Sequence, residues 1–239
     1  MNLPFFYINS YTDGQQNITL DEDTSRHIVQ VLRMKRGEQL HLTDGLGHLL
    51  LAEITDDHKK HCSVAVREVN FTPAAERKVT IAISNIKNAS RFEWFLEKAC
   101  EVGISEIIPL VCERTEKERF RHDRMNAICI SAMLQSQQVW LPQLTEPQPF
   151  KDVIEKNAAT VKYIAHCEDG PKNPLARQAA QASTIILIGP EGDFTPGEIA
   201  KAQEKGFIPV SLGETRLRTE TAGVVAAVLL QFPAAVSSK

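Results

Sequence analysis

Two glycine-containing loops near the end of the chain have the residue types of a ligand-binding site. The first loop, Gly189-Pro190-Glu191-Gly192-Asp193-Phe194, follows an apolar run at 184–188. The second loop begins at Gly213 and follows an apolar run at 208–212. Glycine lets the backbone approach a ligand closely or adopt a positive φ, and exposed loop amides bind an adenine edge or a carboxylate. The alternative is that these glycines only make tight turns.

The two loops lack the phosphate-binding patterns of nucleotide enzymes. Neither contains GxxxxGK[ST] or GxGxxG, so their sequence disfavours a nucleoside triphosphate or a dinucleotide. Ligands of parallel α/β sheets bind beyond the carboxyl ends of strands, and both loops follow a predicted strand. The pattern therefore indicates a ligand site at two consecutive strand ends, without naming the ligand.

Alternating strands and helices are expected to position these loops. After a linker at 71–75, buried-strand runs are predicted at 79–83, 107–111, 162–167, 184–188 and 208–212. Helices are predicted at 91–102, 121–138, 175–181, 196–206 and 219–232, with Thr195 and Glu198 forming a capping box at the fourth. This alternation predicts an α/β fold with a mostly parallel sheet that helices cover on both faces.

The first 72 residues have a different pattern. Short alternating segments at 39–43, 49–54 and 63–69 are separated by turn residues, which predicts a small antiparallel sheet or barrel. One helix, from Asp23 or Thr24 to Leu32, is expected to interrupt it. We therefore expect two domains, at 1–72 and 73–239.

Composition limits where and how such a protein acts. The net charge of -3 argues against nucleic-acid binding by bulk charge, so any RNA contact needs a local basic patch. Five cysteines without a CxxC pair are typical of reduced cytosolic thiols. The longest apolar run, 222–230, is far shorter than the roughly 20 residues of a membrane span. We expect a cytoplasmic protein without a membrane or signal segment.

The loop residues resemble a known family signature. Ile188-Gly189-Pro190-Glu191-Gly192, Leu212-Gly213 and the run Leu217-Arg218-Thr219-Glu220-Thr221-Ala222 resemble the SPOUT-class RNA methyltransferases. The likeness is strongest to the RsmE subfamily, which methylates N3 of a uridine in 16S ribosomal RNA. Nearly the whole chain takes part, through His27, Val31-Leu32-Arg33, Gly37, Lys87, Glu93, Glu97-Lys98, Glu101-Val102-Gly103 and Gln135-Ser136. The chain departs at Gln137-Gln138, where the family often has Gly-Arg, and at Thr215-Arg216, where Arg often comes first.

The resemblance implies both an architecture and partners. It implies a C-terminal trefoil-knotted SPOUT methyltransferase domain with a small N-terminal PUA-like β-barrel domain. It also implies S-adenosylmethionine as methyl donor, no metal, a homodimer, and 16S rRNA as substrate, either free or within the 30S subunit. Two alternatives stay open: a SPOUT enzyme that modifies another RNA position, and a non-catalytic RNA-binding protein of this fold.

Arg218 and Glu191 are the predicted catalytic residues. A uridine N3 must lose a proton, which requires a base or a cation that stabilises the resulting anion. The alternative for Arg218 is a helix-start salt bridge with Glu220, and for Glu191 a turn-capping carboxylate. The donor is expected to contact His166, Ile188, Gly189, Gly192, Leu212, Gly213 and Leu217. His166 is otherwise a structural histidine, and Cys167 is either a wall of the site or a buried thiol.

A short basic cluster is the predicted RNA-binding site. Its members are Arg26, His27, Arg33, Lys35 and Arg36, and a solvated helix end is the alternative. Arg114, Arg119, Arg121 and Arg124 would extend the patch, although a solvated charged helix is favoured there. His58, His61 and Cys62 lie close together, but no second ligand pair has zinc spacing, so a polar loop is favoured over a metal site.

Overall fold

The computed structural model describes residues 3–116, 120–178 and 182–232. In this part, the chain forms two compact units. The first comprises the described residues of Met1–Ala74 together with Met133–Leu141, and the second comprises those of Ala75–Ala132 and Pro142–Lys239. Sequence patterning gave no sign that a segment beyond residue 132 belongs to the first unit.

A five-stranded sheet forms the first unit. Its strands are β1 (Phe5–Tyr7), β2 (Asn17–Thr19), β3 (Gln39–Thr43), β4 (His48–Asp56) and β5 (Ser63–Phe71), in the order β1-β3-β4-β5-β2. Alternating residues of β3 and β4 are buried, among them Leu40, Leu42, Leu50, Ala52 and Ile54. Three pairs are antiparallel as predicted, but β1 pairs with β3 in parallel.

The single helix predicted up to Leu32 is wrong in its second half. Helix α1 covers only Glu22–Arg26, and the Asp21 carboxylate caps it by accepting from the Thr24 amide. A π-helical turn, His27–Val31, follows and closes with a hydrogen bond from the Leu32 amide to the His27 carbonyl. Ile28 is fully buried in this turn whereas Val31 is 67% exposed.

An eight-stranded, fully parallel sheet forms the second unit, as predicted. Its strands are β6 (Lys78–Ser84), β7 (Glu106–Val111), β8 (Gln143–Leu144), β9 (Gln148–Pro149), β10 (Val161–Ala165), β11 (Asn173–Pro174), β12 (Ser183–Ile188) and β13 (Ile208–Ser211). The order is β11-β13-β10-β12-β6-β7-β8, and β9 also pairs with β7. The apolar runs at 184–188 and 208–212 thus form β12 and most of the segment around β13, and these two strands lie on either side of β10.

Helices cover both faces of this sheet. They are α2 (Ala89–Val102), α3 (His122–Gln135), α4 (Phe150–Lys156), α5 (Pro196–Glu204) and α6 (Thr219–Gln231). Because neighbouring residues of a strand face opposite sides, Ala82 packs with α4 and α5, whereas Ile83 meets α2 and α6. Among the described residues, none of the helices has the length and apolarity to cross a membrane.

Helix ends follow the sequence signals in most places. The capping box of α5 is confirmed, since the Thr195 hydroxyl accepts from the Glu198 amide and the Glu198 carboxylate accepts from the Thr195 amide. Helix α3 ends at Gln135, three residues earlier than predicted, and Gln137 in the turn that follows adopts a φ of 57°. The helix predicted at 175–181 is only a 3-10 turn, Leu175–Arg177, and residues 179–181 lie outside the described part.

The packing of α2 against α6 depends on Gly223. A Cβ at this position would lie 2.6 Å from Phe95 Cε2 and 2.8 Å from Ile83 Cδ1, so both buried side chains would have to move. We predict that Gly223→Ala lowers the free energy of unfolding by about 1–3 kcal/mol, the usual cost of overpacking a core. Urea unfolding will measure it. Gly197→Ala, with its nearest atom at 3.9 Å, is the matched control, and an equal effect of both changes would contradict the packing argument.

Candidate functional site

A cavity of about 680 Å³ lies at the carboxyl ends of β10, β12 and β13. Most of its walls come from three segments: residues 165–167 at the end of β10, the first glycine loop after β12, and residues 210–219 from the end of β13 to the start of α6. Lys172 and Ala222 also line it. Since parallel strands bring their carboxyl ends to one edge, the consecutive loops noted in the sequence become neighbours in space. The volume falls within the roughly 300–1,000 Å³ typical of small-molecule sites.

Asp193 joins the loop after β12 to the loop after β10. One carboxylate oxygen accepts from the Cys167 amide at 2.7 Å, and the other accepts from the Phe194 amide at 2.8 Å. Its own amide donates to the Pro190 carbonyl, and its φ is 62°. Asp is among the few non-glycine residues that tolerate this left-handed conformation. The loop is therefore held in a turn that sequence patterning assigned to its glycines.

The start of α6 is tied to the same loop. The Thr219 hydroxyl donates to the Gly189 carbonyl at 3.0 Å, and both residues line the cavity. Gly189 also packs against the fully buried Phe194 ring, which would lie 3.1 Å from a Cβ at residue 189. The glycine here serves a close approach, so a side chain would push the loop away from Phe194.

The structure brings most of the predicted site residues to this one cavity. Its lining includes His166, Cys167, Ile188, Gly189, Glu191, Leu212, Gly213, Leu217 and Arg218. Gly192 is also a predicted donor contact, but it is not among the described residues that line the cavity. Its carbonyl accepts from Arg114 Nη1 at 2.7 Å, and the Arg114 side chain lies over its Cα. Arg114, a candidate for the RNA patch, thus supports the glycine loop.

The two candidate catalytic side chains are exposed at the cavity. In the part of the chain that the structure describes, no ion pair involves Arg218 or Glu191. The salt bridge considered for Arg218 is not formed, because Glu220 instead lies 3.7 Å from Arg91 Nε, on α2. Arg218 is accordingly available to a ligand.

His166 is a cavity residue whose imidazole is largely enclosed by the protein. Both ring nitrogens are buried and have no hydrogen-bond partner among the described residues. Burial lowers the pKa of His166 from 6.5, nearby Lys172 lowers it further, and Asp193 and Glu168 act in the opposite direction. The imidazole is therefore neutral at neutral pH and offers one donor and one acceptor to a ligand.

Several cavity residues had gone unnoticed in the sequence. Lys172, Asp193, Thr219 and Ala222 line the cavity, although none of them is a predicted site residue. Thr219 and Ala222 belong to the family-like run and Asp193 to the first glycine loop, whereas Lys172 lies in neither. Lys172 lies in a segment whose fold depends on strand pairing that no local pattern indicates. The interpretation of Cys167 as a buried thiol is wrong, since this cysteine is exposed.

The predicted RNA-binding cluster lies in the first unit, around the π-helical turn. Arg26 pairs with Glu22 at 2.9 Å and Asp23 at 3.3 Å, and Lys35 lies 3.7 Å from Asp57. Within the described ranges, Arg33 and Arg36 form no ion pair, while the His27 ring packs edge-on against Phe6. Arg33 and Arg36 are therefore the arginines of this cluster that have no ion-pair partner among the described residues.

The other candidate basic and metal residues are differently placed. Arg124 binds the Glu93 carboxylate through two hydrogen bonds, of 2.6 and 3.0 Å, and Arg119 lies outside the described residues. The rings of His58 and His61 stack with centroids 3.6 Å apart. In the described part of the chain, no group of three or more metal-binding side chains comes together.

Family models match almost the whole chain. A model of the RNA methyltransferase domain matches residues 73–231, and a model of the RNA methyltransferase PUA domain matches residues 20–67. The chain is 31% identical to ribosomal RNA small subunit methyltransferase E of Rickettsia conorii, over 92% of this chain and 91% of that protein. It is also 31% identical to the protein of that name from Synechocystis, over 89% and 72% of the two chains.

Solved structures agree with these matches. A probable rRNA-methyltransferase from Porphyromonas gingivalis is 40% identical, with a TM-score of 0.87 over 94% of this chain and 95% of the other. Ribosomal RNA small subunit methyltransferase E from Neisseria gonorrhoeae, bound to S-adenosyl methionine, is 27% identical, with a TM-score of 0.85 over 96% and 97%.

The chain thus belongs to the RNA methyltransferases with an N-terminal PUA domain. More narrowly, it belongs to the family of ribosomal RNA small subunit methyltransferase E. The resemblance seen in the two glycine loops is confirmed, as is the α/β architecture with a PUA-like first domain. The trefoil knot stays a prediction.

The environment of His166 predicts a pH dependence of stability. Because the pKa of His166 is lowered in the folded protein, the unfolded chain binds a proton at this residue more readily than the folded protein does. Stability is therefore lost as the pH falls below the pKa of this histidine in the unfolded chain. We predict that replacing His166 by Gln reduces the loss of thermal stability between about pH 7 and about pH 5, because glutamine cannot titrate. Scanning calorimetry across this range, with pH 8 as reference, tests it. Parallel curves for the two proteins would contradict the assignment.

Proposed function

We propose that this protein transfers the methyl group of S-adenosylmethionine to N3 of a uridine in 16S ribosomal RNA. The observation that carries the proposal is the cavity whose walls are tied together by Asp193 and Thr219, in a chain of this family. The uridine and its N3 position come from the sequence resemblance to the RsmE subfamily. The RNA would be free or part of the 30S subunit, in the cytoplasm.

The residues present fit the methyl donor. Glycine at 189 and 213 leaves backbone groups accessible to an adenine edge, and the two unpaired ring nitrogens of His166 offer further polar contacts. The donor supplies an electrophilic methyl group when it is bound. What the chain contributes is position, since holding acceptor and donor in line supplies much of the rate of such a transfer.

Arg218 and Glu191 would act on the acceptor base. The uridine N3 proton must leave, and the negative charge that develops spreads onto the flanking uracil oxygens. Arg218, an exposed cavity residue without an ion-pair partner among the described residues, can stabilise that charge. Glu191, exposed on the facing loop, is the candidate to accept the proton.

The first unit and a second copy of the chain complete the proposal. RNA phosphates would be contacted by Arg26, His27, Arg33, Lys35 and Arg36. Arg33 and Arg36 would contribute most, because neither is ion-paired in the described structure.

The family resemblance implies a homodimer and the knot. Val228 and Phe232 near the end of α6, 40% and 65% exposed, support a covered face there.

Methylation of purified 16S rRNA and of 30S particles tests the proposal directly. Nucleoside mass spectrometry after incubation with the protein and S-adenosylmethionine is expected to detect 3-methyluridine. A different methylated nucleoside would favour an enzyme acting on another RNA position. Absence of any transfer to either substrate, with RNA binding retained, would favour the non-catalytic alternative.

Arg218→Ala is expected to lower the rate of methyl transfer about 100-fold or more, the usual cost of removing one charge-stabilising donor. The affinity for S-adenosylmethionine should change much less, because the guanidinium acts on the acceptor. Single-turnover transfer rates and calorimetric titration separate the two effects. Arg216→Ala, two residues earlier in the same loop, is the matched control; equal losses in both variants would contradict a specific role of Arg218.

The ion-pairing pattern predicts unequal roles in the basic cluster. Arg36→Ala should reduce the slope of log affinity against log salt by about 0.7–0.9, the value expected for one lost phosphate contact. Arg26→Ala should change the slope less, because Arg26 already pairs with Glu22 and Asp23. Filter binding of 16S rRNA at several salt concentrations measures both slopes. A larger change for Arg26→Ala would reverse the proposed ranking.

A further inference from the structure

Lys172 is a cation of the cavity that no sequence signal singled out. It precedes β11, whose Asn173 and Pro174 pair with Val210 and Ser211 of β13, so strand pairing holds its backbone at the rim of the cavity. The side chain is half-buried. Within the described residues, no carboxylate lies within ion-pair distance of its ammonium group. A partly buried ammonium group that lines a cavity and has no ion-pair partner there is suited to an anionic ligand.

The other charges around the cavity are placed differently. Asp193, which also lines it, already accepts hydrogen bonds from the amides of Cys167 and Phe194. Arg216 and Arg218 are exposed, near the entrance to α6. Lys172 acts electrostatically on His166, whose ring nitrogens are buried and unpartnered. Lys172 and His166 therefore line the same cavity and lie close enough to interact electrostatically.

We propose that Lys172 binds the carboxylate of the amino-acid portion of the methyl donor. This inference rests on the proposed function and deepens it, because it names the residue that reads the donor's negative group. The adenine then occupies the backbone-lined part of the cavity, near Gly189 and Leu212, which suits a flat apolar ring with polar edges. An ammonium group in a half-buried position strengthens a charge-assisted hydrogen bond to a carboxylate.

An RNA phosphate is the competing ligand for this cation. Phosphate contacts are made by exposed cations that can reach the nucleic-acid backbone. Lys172 is instead partly enclosed, beside a histidine whose polar atoms are buried. The observations favour the small ligand inside the cavity.

Two donor compounds that differ only in the carboxylate test the assignment. Calorimetric titration of the full chain with S-adenosylmethionine and with decarboxylated S-adenosylmethionine compares wild type, Lys172→Met and Lys172→Arg. Lys172→Met should weaken S-adenosylmethionine binding about tenfold, as expected for one charge-assisted contact, and leave the decarboxylated compound within about twofold. Lys172→Arg should retain most of the affinity. Lys201→Met, an exposed lysine of α5, is the control for loss of surface charge.

The outcomes separate this inference from the proposed function. If Lys172→Met weakens the binding of both compounds equally, or of neither, the proposed role of Lys172 is overturned while the donor site itself stands. Loss of 16S rRNA affinity by Lys172→Met with unchanged donor affinity would assign the lysine to a phosphate instead and overturn the inference. Failure of the wild-type chain to bind S-adenosylmethionine would overturn the proposed function, and this inference with it.

Discussion

The proposed donor site depends on the hydrogen bonds that the carboxylate of Asp193 accepts. This carboxylate accepts hydrogen bonds from two backbone amides, of Cys167 and Phe194, and so holds the loops after β10 and β12 in one arrangement. Hydrogen bonds to a charged acceptor contribute about 1.5–3 kcal/mol each when buried, and less at this partly exposed position. Without them, the loops after β10 and β12 would be free to adopt several conformations, and the cavity would have no fixed shape.

The parallel sheet explains why this one residue affects several loops of the site. Because β10 lies between β12 and β13, the loops that follow these three strands are neighbours at one edge. Thr219 ties the third loop to Gly189, at the point where α6 begins. The packing of α6 on α2, through Gly223, then holds that helix start against the sheet. Fold and site therefore share the same few contacts.

Much of this arrangement was predictable from local signals. The apolar runs ending at Ile188 and Leu212 and the capping box at Thr195 are set by neighbouring residues, and the structure confirms them. Features that depend on distant contacts were missed. Residues 133–141 join the first unit through backbone contacts with residues 45–47, and Lys172 is placed on the cavity by the pairing of β11 with β13. The sequence predicts α-helix where the π-helical turn follows Arg26, because the two helix types have similar periodicity over so few residues.

Calorimetric titration of S-adenosylmethionine into the wild-type protein and into the variant Asp193→Asn tests the central claim most directly. Asparagine tolerates the same left-handed φ but has a neutral side chain with one acceptor oxygen, so it cannot hold both amides. We predict that the wild type binds the donor and that the variant binds it about tenfold more weakly or worse, since one charged hydrogen bond is lost. A variant that is folded and binds the donor as tightly as the wild type would contradict the account.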